Sequence, residues 1–375
     1  MKLTRTILAL ALAAVVAAPL PAPPAGAAGL TDGPIEYVKT IPIDAGAAQV
    51  AKRVGDHLYL TSWKALSIYD VTDLLNPVHV STIPTGFQFP AERMDTNGEI
   101  LIVGEQTPAY RLHVFDVSDP AAPSEIATLA GTPDHTFTCV LDCRWAYGSH
   151  GTIVDLRDPA NPEVAGDWSE PTLTYWHDVT EVAPGRVLTA SMPTTRLLDG
   201  RGRVTKPRHV AMGDATASGT TGYLGTVLWP RGGRDRFILG SEETSFNPQC
   251  SETTSAFVTW DASRWRKTRT FTVADHYRLG NGTVADGSPP ASLVGCSTHV
   301  LDEHPGFRDG GLVTLAHYEH GTRILEIGRD GSIEETAWFL PAGGSTSASY
   351  WMSDEIVYSI DFHRGLDILR YTGEA

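Results

Sequence analysis

Most apolar residues of this chain fall in short segments where apolar and polar positions alternate, and these segments are rich in β-branched side chains. Alternation with a period of two is typical of β-strands that bury one face. Turns containing Gly, Pro, Asn or Asp separate the segments, and no stretch of the presumed mature chain carries a sustained helical period. We therefore predict an all-β fold.

One strand pattern recurs along the chain. It reads ALSIYDVTD from Ala65, LHVFDVSDP from Leu112 and TIVDLRDP from Thr152, and weaker copies follow. With anchors at positions 70, 116, 155, 199, 261, 326 and 370, the spacings are 46, 39, 44, 62, 65 and 44 residues. Repeats of roughly 40–50 residues are typical of four-stranded propeller blades, and longer spacings indicate loop insertions. The sequence predicts a seven-bladed β-propeller.

The two ends of the chain indicate how this propeller closes. The last repeat copy is followed only by a few residues, so its blade lacks an outer strand. The segment 36–43 resembles the outer strand at 78–84, and we predict that it completes the last blade. Such closure removes exposed sheet edges. Residues 36–375 are therefore predicted to form a single domain.

The repeat copies resemble the LVIVD family of exported bacterial proteins, which are predicted propellers. The likeness covers nearly all of the chain after residue 27, and the segments at 175–179, 296–299 and 318–323 also resemble recurring motifs of that family. The resemblance implies an extracytoplasmic propeller. It implies little about chemistry, because the family is poorly characterised.

The N-terminal segment has the pattern of a secretory signal peptide. Lys2 and Arg5 precede an apolar run of about a dozen residues, and Ala25-Gly26-Ala27 is a suitable cleavage site. We predict a signal peptide at 1–27, a short linker at 28–35 and a soluble, secreted or extracytoplasmic product without a transmembrane segment. Removing Lys2 and Arg5 takes the formal charge from −15 to −17, which disfavours nucleic acid as a partner.

The four cysteines are an even number in a chain predicted to be exported, which favours two disulfides. Cys139 and Cys143 bracket a tight hairpin, and Cys250 and Cys296 would form the second pair. In the alternative interpretation Cys296, three residues before His299, is a metal ligand.

Three histidines take equivalent places in the predicted blades. His135, His177 and His299 each open an innermost strand, so they should converge at one mouth of the central channel. Imidazoles with nearby carboxylates suit zinc, copper or iron. We predict a metal site built from these three residues, with His320, His363 or Glu242 supplying a further ligand, and no nucleotide cofactor. The alternative is that each histidine is a hydrogen-bonded structural residue.

A substrate site is expected beside this centre, although no catalytic residue is assigned. A histidine next to an arginine can bind an anionic group, and the residues predicted to bind substrate are Arg323, Arg364, Tyr175, Tyr318, His150 and His317. In the alternative interpretation each arginine pairs with a repeat carboxylate between blades. The repeat aspartates at 70, 116 and 155 are predicted to cap backbone amides rather than to act in catalysis.

Two functions follow from these patterns. The first is an exported metalloprotein, with a metal-dependent oxidative or hydrolytic reaction on a small molecule. The second is a non-catalytic binding or adhesion propeller for an extracellular protein or glycan. Matched histidines in three repeats favour the first, since a generic binding module does not require them.

Overall fold

The computed structural model describes residues 29–87, 90–106, 110–216, 219, 222–244, 250, 255–279 and 295–374. These residues form β-strands and two short helical turns, α1 (Pro230–Gly233) and α2 (Trp265–Thr268). The all-β prediction is confirmed. The predicted signal peptide at 1–27 lies outside the described residues, and it stays a prediction.

The strands of the N-terminal half are β1 (Gly29–Asp32), β2 (Ile35–Ile41), β3 (Ala48–Val54), β4 (His57–Ser62), β5 (Ala65–Asp70), β6 (Val78–Pro84), β7 (Pro90–Thr96), β8 (Ile100–Glu105), β9 (Arg111–Asp116), β10 (Ser124–Ala130), β11 (Phe137–Val140), β12 (Trp145–Gly148), β13 (Thr152–Asp155) and β14 (Glu163–Asp167).

The strands of the C-terminal half are β15 (Tyr175–Ala183), β16 (Arg186–Met192), β17 (Thr194–Asp199), β18 (Arg208–Asp214), β19 (Tyr223–Leu228), β20 (Phe237–Glu243), β21 (Phe257–Asp261), β22 (Thr270–Tyr277), β23 (Leu301–Glu303), β24 (Gly311–Ala316), β25 (Thr322–Ile327), β26 (Ile333–Pro341), β27 (Thr346–Trp351), β28 (Ile356–Asp361) and β29 (Gly365–Tyr371).

Consecutive strands pair antiparallel into four-stranded units. β3–β6, β7–β10 and β11–β14 each form one sheet. β15–β18 and β19–β22 are two such units joined into an eight-stranded sheet, because β18 pairs parallel with β22 at Met212–Thr270 and Gly213–Phe271. Antiparallel pairing allows strands that follow one another along the chain to lie side by side in one sheet.

The N-terminal strands complete the sheets at the other end of the chain. β2 pairs antiparallel with β29 and forms the fourth strand of the sheet β27–β29. β1 pairs with β26 from Gly29–Pro341 to Asp32–Trp338. The prediction of a linker at 28–35 is thus wrong for residues 29–32, which form a strand. The backbone N–H and C=O groups on the outer edge of β26 would otherwise lack partners, and β1 forms hydrogen bonds with them.

The first strands of the successive units face one another around a central axis. β3, β7, β11, β15, β19, β23 and β27 contact each other in this order, and β27 contacts β3. Between the units lie buried apolar side chains; the cluster that joins the first and last units includes Tyr59, Leu101 and Tyr358. The core is therefore spread around the ring between neighbouring sheets, as expected for a propeller.

The repeat pattern falls on the third strand of each unit. Its aspartates end β5, β9, β13, β17 and β21. The carboxylate of Asp70 accepts the backbone N–H of Thr72 at 2.8 Å, and Asp116 accepts that of Ser118 at 3.0 Å. The predicted capping role is confirmed, since each carboxylate satisfies a backbone donor where the strand ends.

Candidate metal centre

Four polar side chains lie at corresponding places in four units, either on the innermost strand or just before it. Glu92 is on β7, His177 is on β15, and His135 and His299 precede β11 and β23 by two residues. Each is followed two positions later by a buried apolar residue, namely Met94, Phe137, Val179 and Leu301. Because the innermost strands converge on the axis, equivalent places on them bring side chains together.

The three predicted histidines meet at one carboxylate oxygen. The Oε2 atom of Glu92 lies 3.2 Å from Nε2 of His299, 3.3 Å from Nε2 of His135 and 3.6 Å from Nε2 of His177. Neighbouring ligand atoms of a tetrahedral metal with bonds of about 2.0–2.2 Å lie about 3.3–3.6 Å apart. Each of these three separations therefore matches the distance between two ligands of one metal, although His299 does not lie with both His135 and His177 in a single group whose ligand atoms are all within 4.8 Å of one another.

Two of the histidines are held in one orientation by backbone carbonyls. Nδ1 of His177 donates to the carbonyl oxygen of Gly225 at 3.0 Å, and Nδ1 of His299 donates to that of Ser347. A carbonyl oxygen only accepts, so Nδ1 carries the proton and Nε2 faces the centre. Metal-binding histidines are commonly oriented by such a hydrogen bond.

β-Bulges make these carbonyls available. The strand registers shift at Trp176–Asp178, at Leu224–Thr226 and at Thr346–Ala348, so His177, Gly225 and Ser347 are the extra residues of their pairs. A bulged residue leaves the ladder and its backbone groups become free for other partners. The local irregularity of the innermost strands thus orients both imidazoles.

Glu243 adds a second carboxylate. Its Oε1 atom lies 3.5 Å from Nδ1 of His177 and 3.9 Å from Nε2 of His299, and its Oε2 accepts the hydroxyl of Tyr223 at 3.4 Å. Burial, together with the charge of Glu92 and despite that of His299, raises the pKa of Glu243 to about 8. Glu92, Glu243 and His299 form one group with ligand atoms within 4.8 Å of one another, and Glu92, His135 and His177 form another.

The charges at the centre are balanced by an ion pair. Burial by itself raises the pKa of Glu92, but His299 and His135 outweigh it and hold that pKa well below its usual range. Burial lowers the pKa of His299, whereas Glu243 and Glu92 raise it to about 9. In the metal-free protein His299 is therefore the cation that neutralises Glu92. A bound metal ion would replace this proton with its own charge.

A polar cavity of about 350 Å³ borders the centre on the channel side. Glu92, His177 and His299 line it together with Arg93 and Asp178, whose Nη1 and Oδ2 atoms are 2.6 Å apart. The cavity is large enough for a small molecule, and its ion pair sets a polar lining.

Three tyrosines flank the histidines. Tyr318 is buried and stacks on His299 with ring centroids 4.8 Å apart. Tyr175, 37% exposed, lies 6.2 Å from the ring of His177 and 4.4 Å from Tyr223. His150 accepts the backbone N–H of His135 at 3.4 Å, and burial, reinforced by His135, lowers the pKa of His150 to about 4.

The other predicted ligands lie elsewhere. Nε2 of His320 is 3.4 Å from the sulfur of Cys250, because a tight turn from His317 to His320 directs it away from the axis. His363 is exposed in a turn closed by Asp361. Glu242 does not join either group of ligands, whereas its neighbour Glu243 does. Adjacent residues of a strand point to opposite faces, so an error of one residue in the predicted position selected Glu242 in place of Glu243.

The predicted substrate arginines form ion pairs within their own sheets. Arg323 is buried, with Nη1 3.4 Å from Glu335 and its guanidinium over the ring of Trp338. Nη2 of Arg364 lies 2.9 Å from Asp367 and donates to Thr40 at 2.8 Å. Both guanidinium groups thus pair with carboxylates, as in the alternative interpretation, but within one sheet rather than between blades, and Glu335 is not a repeat carboxylate. A role of these arginines in substrate binding stays a prediction. His317 does not belong to either group of ligands that contains Glu92, and it packs beside His320.

Both predicted disulfides are present. Cys139 bonds to Cys143, and Cys250 bonds to Cys296. The alternative prediction of Cys296 as a thiolate ligand fails here, because its sulfur is already bonded. Disulfides indicate an oxidising environment.

Sequence reasoning missed Glu92, Glu243 and Tyr223. A signal for Glu92 existed, since Glu92-Arg93-Met94-Asp95 aligns with His299-Val300-Leu301-Asp302 at the same place on an innermost strand. The positions of Glu243 and Tyr223 depend on the bulged pairing of β19 with β20, which no local sequence pattern predicts.

Comparisons with known proteins give the class of protein and no more. No family model matches the chain, and no curated protein matches it. Among solved structures 868 chains match, including the WD40 repeats of RRP9, with a TM-score of 0.57 and 8% identity over 92% of this chain and 100% of that chain. The chain is thus an all-β protein with a WD40-like propeller fold. At this identity the likeness shows the fold alone, and a fold shared so widely does not select a function.

The convergent histidines and carboxylates are groups that could hold a metal. Among the described residues, no helix is long and apolar enough to cross a membrane.

Proposed function

We propose that this protein is an exported seven-bladed β-propeller that binds one transition metal ion, zinc, copper or iron, at the axial mouth of its ring. His135, His177, His299 and Glu92 would be the ligands, with Glu243 beside them. The observation that carries the proposal is the convergence of three imidazole Nε2 atoms within 3.6 Å of one carboxylate oxygen.

The seven-blade count and the LVIVD-type assignment are part of this proposal. They are supported by the ring of innermost strands, by the two halves of the eight-stranded sheet and by the repeat aspartates at the ends of third strands. Export is supported by the N-terminal pattern and by the two disulfides.

The proposed activity is a metal-dependent oxidation or hydrolysis of a small molecule. A bound ion would polarise a substrate oxygen or activate water. The protein's own contribution is to orient two imidazoles through Gly225 and Ser347, to supply the carboxylate of Glu92 and to offer the adjacent polar cavity. A non-catalytic binding propeller is the second candidate, favoured only by the fold likeness.

The test is elemental analysis of the untagged, mature protein before and after reconstitution with zinc, copper or iron. We expect near one ion per chain in the wild type and none in a His135→Ala/His177→Ala/His299→Ala variant. The control removes three exposed histidines, in His79→Ala/His276→Ala/His363→Ala, and should keep the metal.

A second variant protects against misfolding of the triple variant. His135→Gln removes one proposed ligand without touching the carbonyl bonds of His177 and His299. It should fold and bind metal more weakly. If the wild-type protein contains no metal even after reconstitution, the metal proposal is refuted and the non-catalytic binding propeller becomes the preferred function.

A further inference from the structure

An arginine-rich groove lies where the two halves of the eight-stranded sheet meet. It is a cavity of about 600 Å³ bounded by β16–β18 and by α2. Its charged lining residues are Arg186, Arg196, Asp199, Arg201, Arg208, His209, Arg266 and Arg269. Six arginines thus face one aspartate, in a chain whose formal charge is −15. Such a local excess of cations against an acidic background requires an explanation.

Partners within the protein do not neutralise this charge. Asp199 is engaged by Arg201, with Nη2–Oδ2 of 2.7 Å and Nε–Oδ1 of 2.9 Å. Arg186 is 3.8 Å from the same carboxylate. Arg196 reaches Glu170, at the rim, with a separation of 3.6 Å. One buried carboxylate is therefore shared by two of the six guanidinium groups.

Three arginines have no carboxylate within salt-bridge distance among the described residues: Arg208, Arg266 and Arg269. In addition, the Nε–H groups of Arg186 and Arg196 are buried without a hydrogen-bond partner in the described part of the chain. A buried donor without a partner is costly, by roughly 1–3 kcal/mol. Donors and charge are thus both available for an added ligand.

The groove holds these cations in place although they repel one another. Burial lowers the pKa of Arg186, and the neighbouring Arg201 lowers it further. The guanidinium groups of Arg186 and Arg266 lie over the ring of Trp265, at 5.4 and 5.0 Å from its centre. Contacts with an aromatic ring fix the planar groups without cancelling their charge.

We propose that this groove is a binding site for a compact oligoanion that carries two or more phosphate or sulfate groups. Guanidinium groups bind such oxyanions with two parallel hydrogen bonds, and the cavity volume fits a ligand of small-molecule size. A ligand with a single carboxylate would leave most of these arginines without a partner, so a ligand with several negative charges fits the groove better.

The site is separate from the metal centre. His177 lies at one end of the β15–β16 pair, where Tyr175 pairs with Met192, and Arg186 lies at the other end, opposite Ala183. The inference therefore goes beyond the proposed function and does not depend on it.

The test is isothermal titration of the full mature protein with tripolyphosphate, with a trisulfated disaccharide and with acetate, at about physiological ionic strength, where exposed charges are largely screened. We expect saturable binding of one tripolyphosphate or sulfated disaccharide per chain and no binding of acetate. The tighter of the two oligoanions indicates whether phosphate or sulfate is the natural group.

The groove variant is Arg208→Gln/Arg266→Gln/Arg269→Gln, which removes the three arginines without salt bridges and keeps their aliphatic stems. Its matched control is Arg111→Gln/Arg144→Gln/Arg329→Gln, which removes the same charge from exposed sites outside the groove. We expect affinity to fall on the order of 100-fold in the groove variant and by less than about threefold in the control.

Thermal unfolding of both variants checks that they are folded. If the groove variant does not fold, Arg208→Gln alone, which alters one exposed side chain, should still weaken binding about fivefold or more. Equal losses in the groove and control variants, or no saturable binding of either oligoanion to the wild type, would overturn the proposal.

Discussion

Two clusters of buried histidines differ in what holds them. At the metal centre, His177 and His299 each donate Nδ1–H to a backbone carbonyl, and their Nε2 atoms face Glu92. In the second cluster, His317 lies beside His320 and the Cys250–Cys296 disulfide. Neither ring nitrogen of His317 has a hydrogen-bond partner among the described residues.

The difference shows that histidine number and burial do not define a ligand set. Both clusters are buried, but only the first has its imidazoles oriented by carbonyls of the next innermost strand and a carboxylate, that of Glu92, at the point where they converge. In the second, the sulfurs that would complete a metal site are bonded to each other. Three predictions test whether the two clusters differ in this way.

The largest effect is expected from the covalent bond of the second cluster. Cys250→Ala/Cys296→Ala should lower the free energy of unfolding by about 4 kcal/mol, because the bond joins residues 46 apart and restricts the unfolded chain. Cys139→Ala/Cys143→Ala, whose cysteines are 4 apart, is the matched comparison and should cost about 2 kcal/mol. Denaturant titration measures both.

The metal content of both cysteine variants should equal that of the wild type, since among the described residues no cysteine belongs to either group of ligands that contains Glu92. Loss of metal in the Cys250→Ala/Cys296→Ala protein would show that the two clusters are one functional unit.

The next effect concerns the carboxylate at the convergence point. Glu92→Gln should weaken metal binding about 100-fold or more, because replacing an outer partner of a ligand already costs roughly 10–100-fold and Glu92 would bind directly. Glu105→Gln is the control, since Glu105 pairs with His113 at 3.2 Å outside the centre. Competition with a chromophoric chelator gives both affinities, and an equal loss in the two would refute a special role for Glu92.

The smallest effect separates the two kinds of buried histidine in metal-free protein. His317→Leu should leave the free energy of unfolding unchanged or raise it by about 1 kcal/mol, since leucine removes two buried nitrogens without partners. His299→Leu should lower it by about 2 kcal/mol or more, because the carbonyl of Ser347 and the carboxylate of Glu92 would lose their donor.

Denaturant unfolding of the two leucine variants in the presence of a chelator makes this measurement. A larger cost for His317→Leu than for His299→Leu would mean that His317 has a partner beyond the described residues, and the contrast between the clusters would have to be redrawn.

The sequence by itself determined the local structure of the repeats. Strands with a period of two, a turn-capping aspartate such as Asp116 and the spacing of the copies are local properties, because alternation and capping act within a few residues. The pairing of the N-terminal segment with the last unit was also predictable, because the last repeat copy has no outer strand of its own. Both disulfides were predictable because the chain has four cysteines, an even number.

Equivalent places on repeated strands were likewise enough to bring His135, His177 and His299 together. The same rule fails for Glu242, because adjacent residues of β20 point to opposite faces and Glu243, which pairs with Tyr223, is the one that joins the ligands. It also fails for Arg323, whose partner Glu335 comes from the neighbouring strand β26.

Which atoms meet at the axis and which arginines line the groove depends on contacts between residues far apart in the sequence. Glu92 and His299 are 207 residues apart in sequence, and Arg196 and Arg269 come together only because β18 pairs with β22. Closure of the ring, bulges that free single carbonyls and pairing between neighbouring units are non-local events. Their energies depend on the whole packed assembly, so no window of sequence contains them.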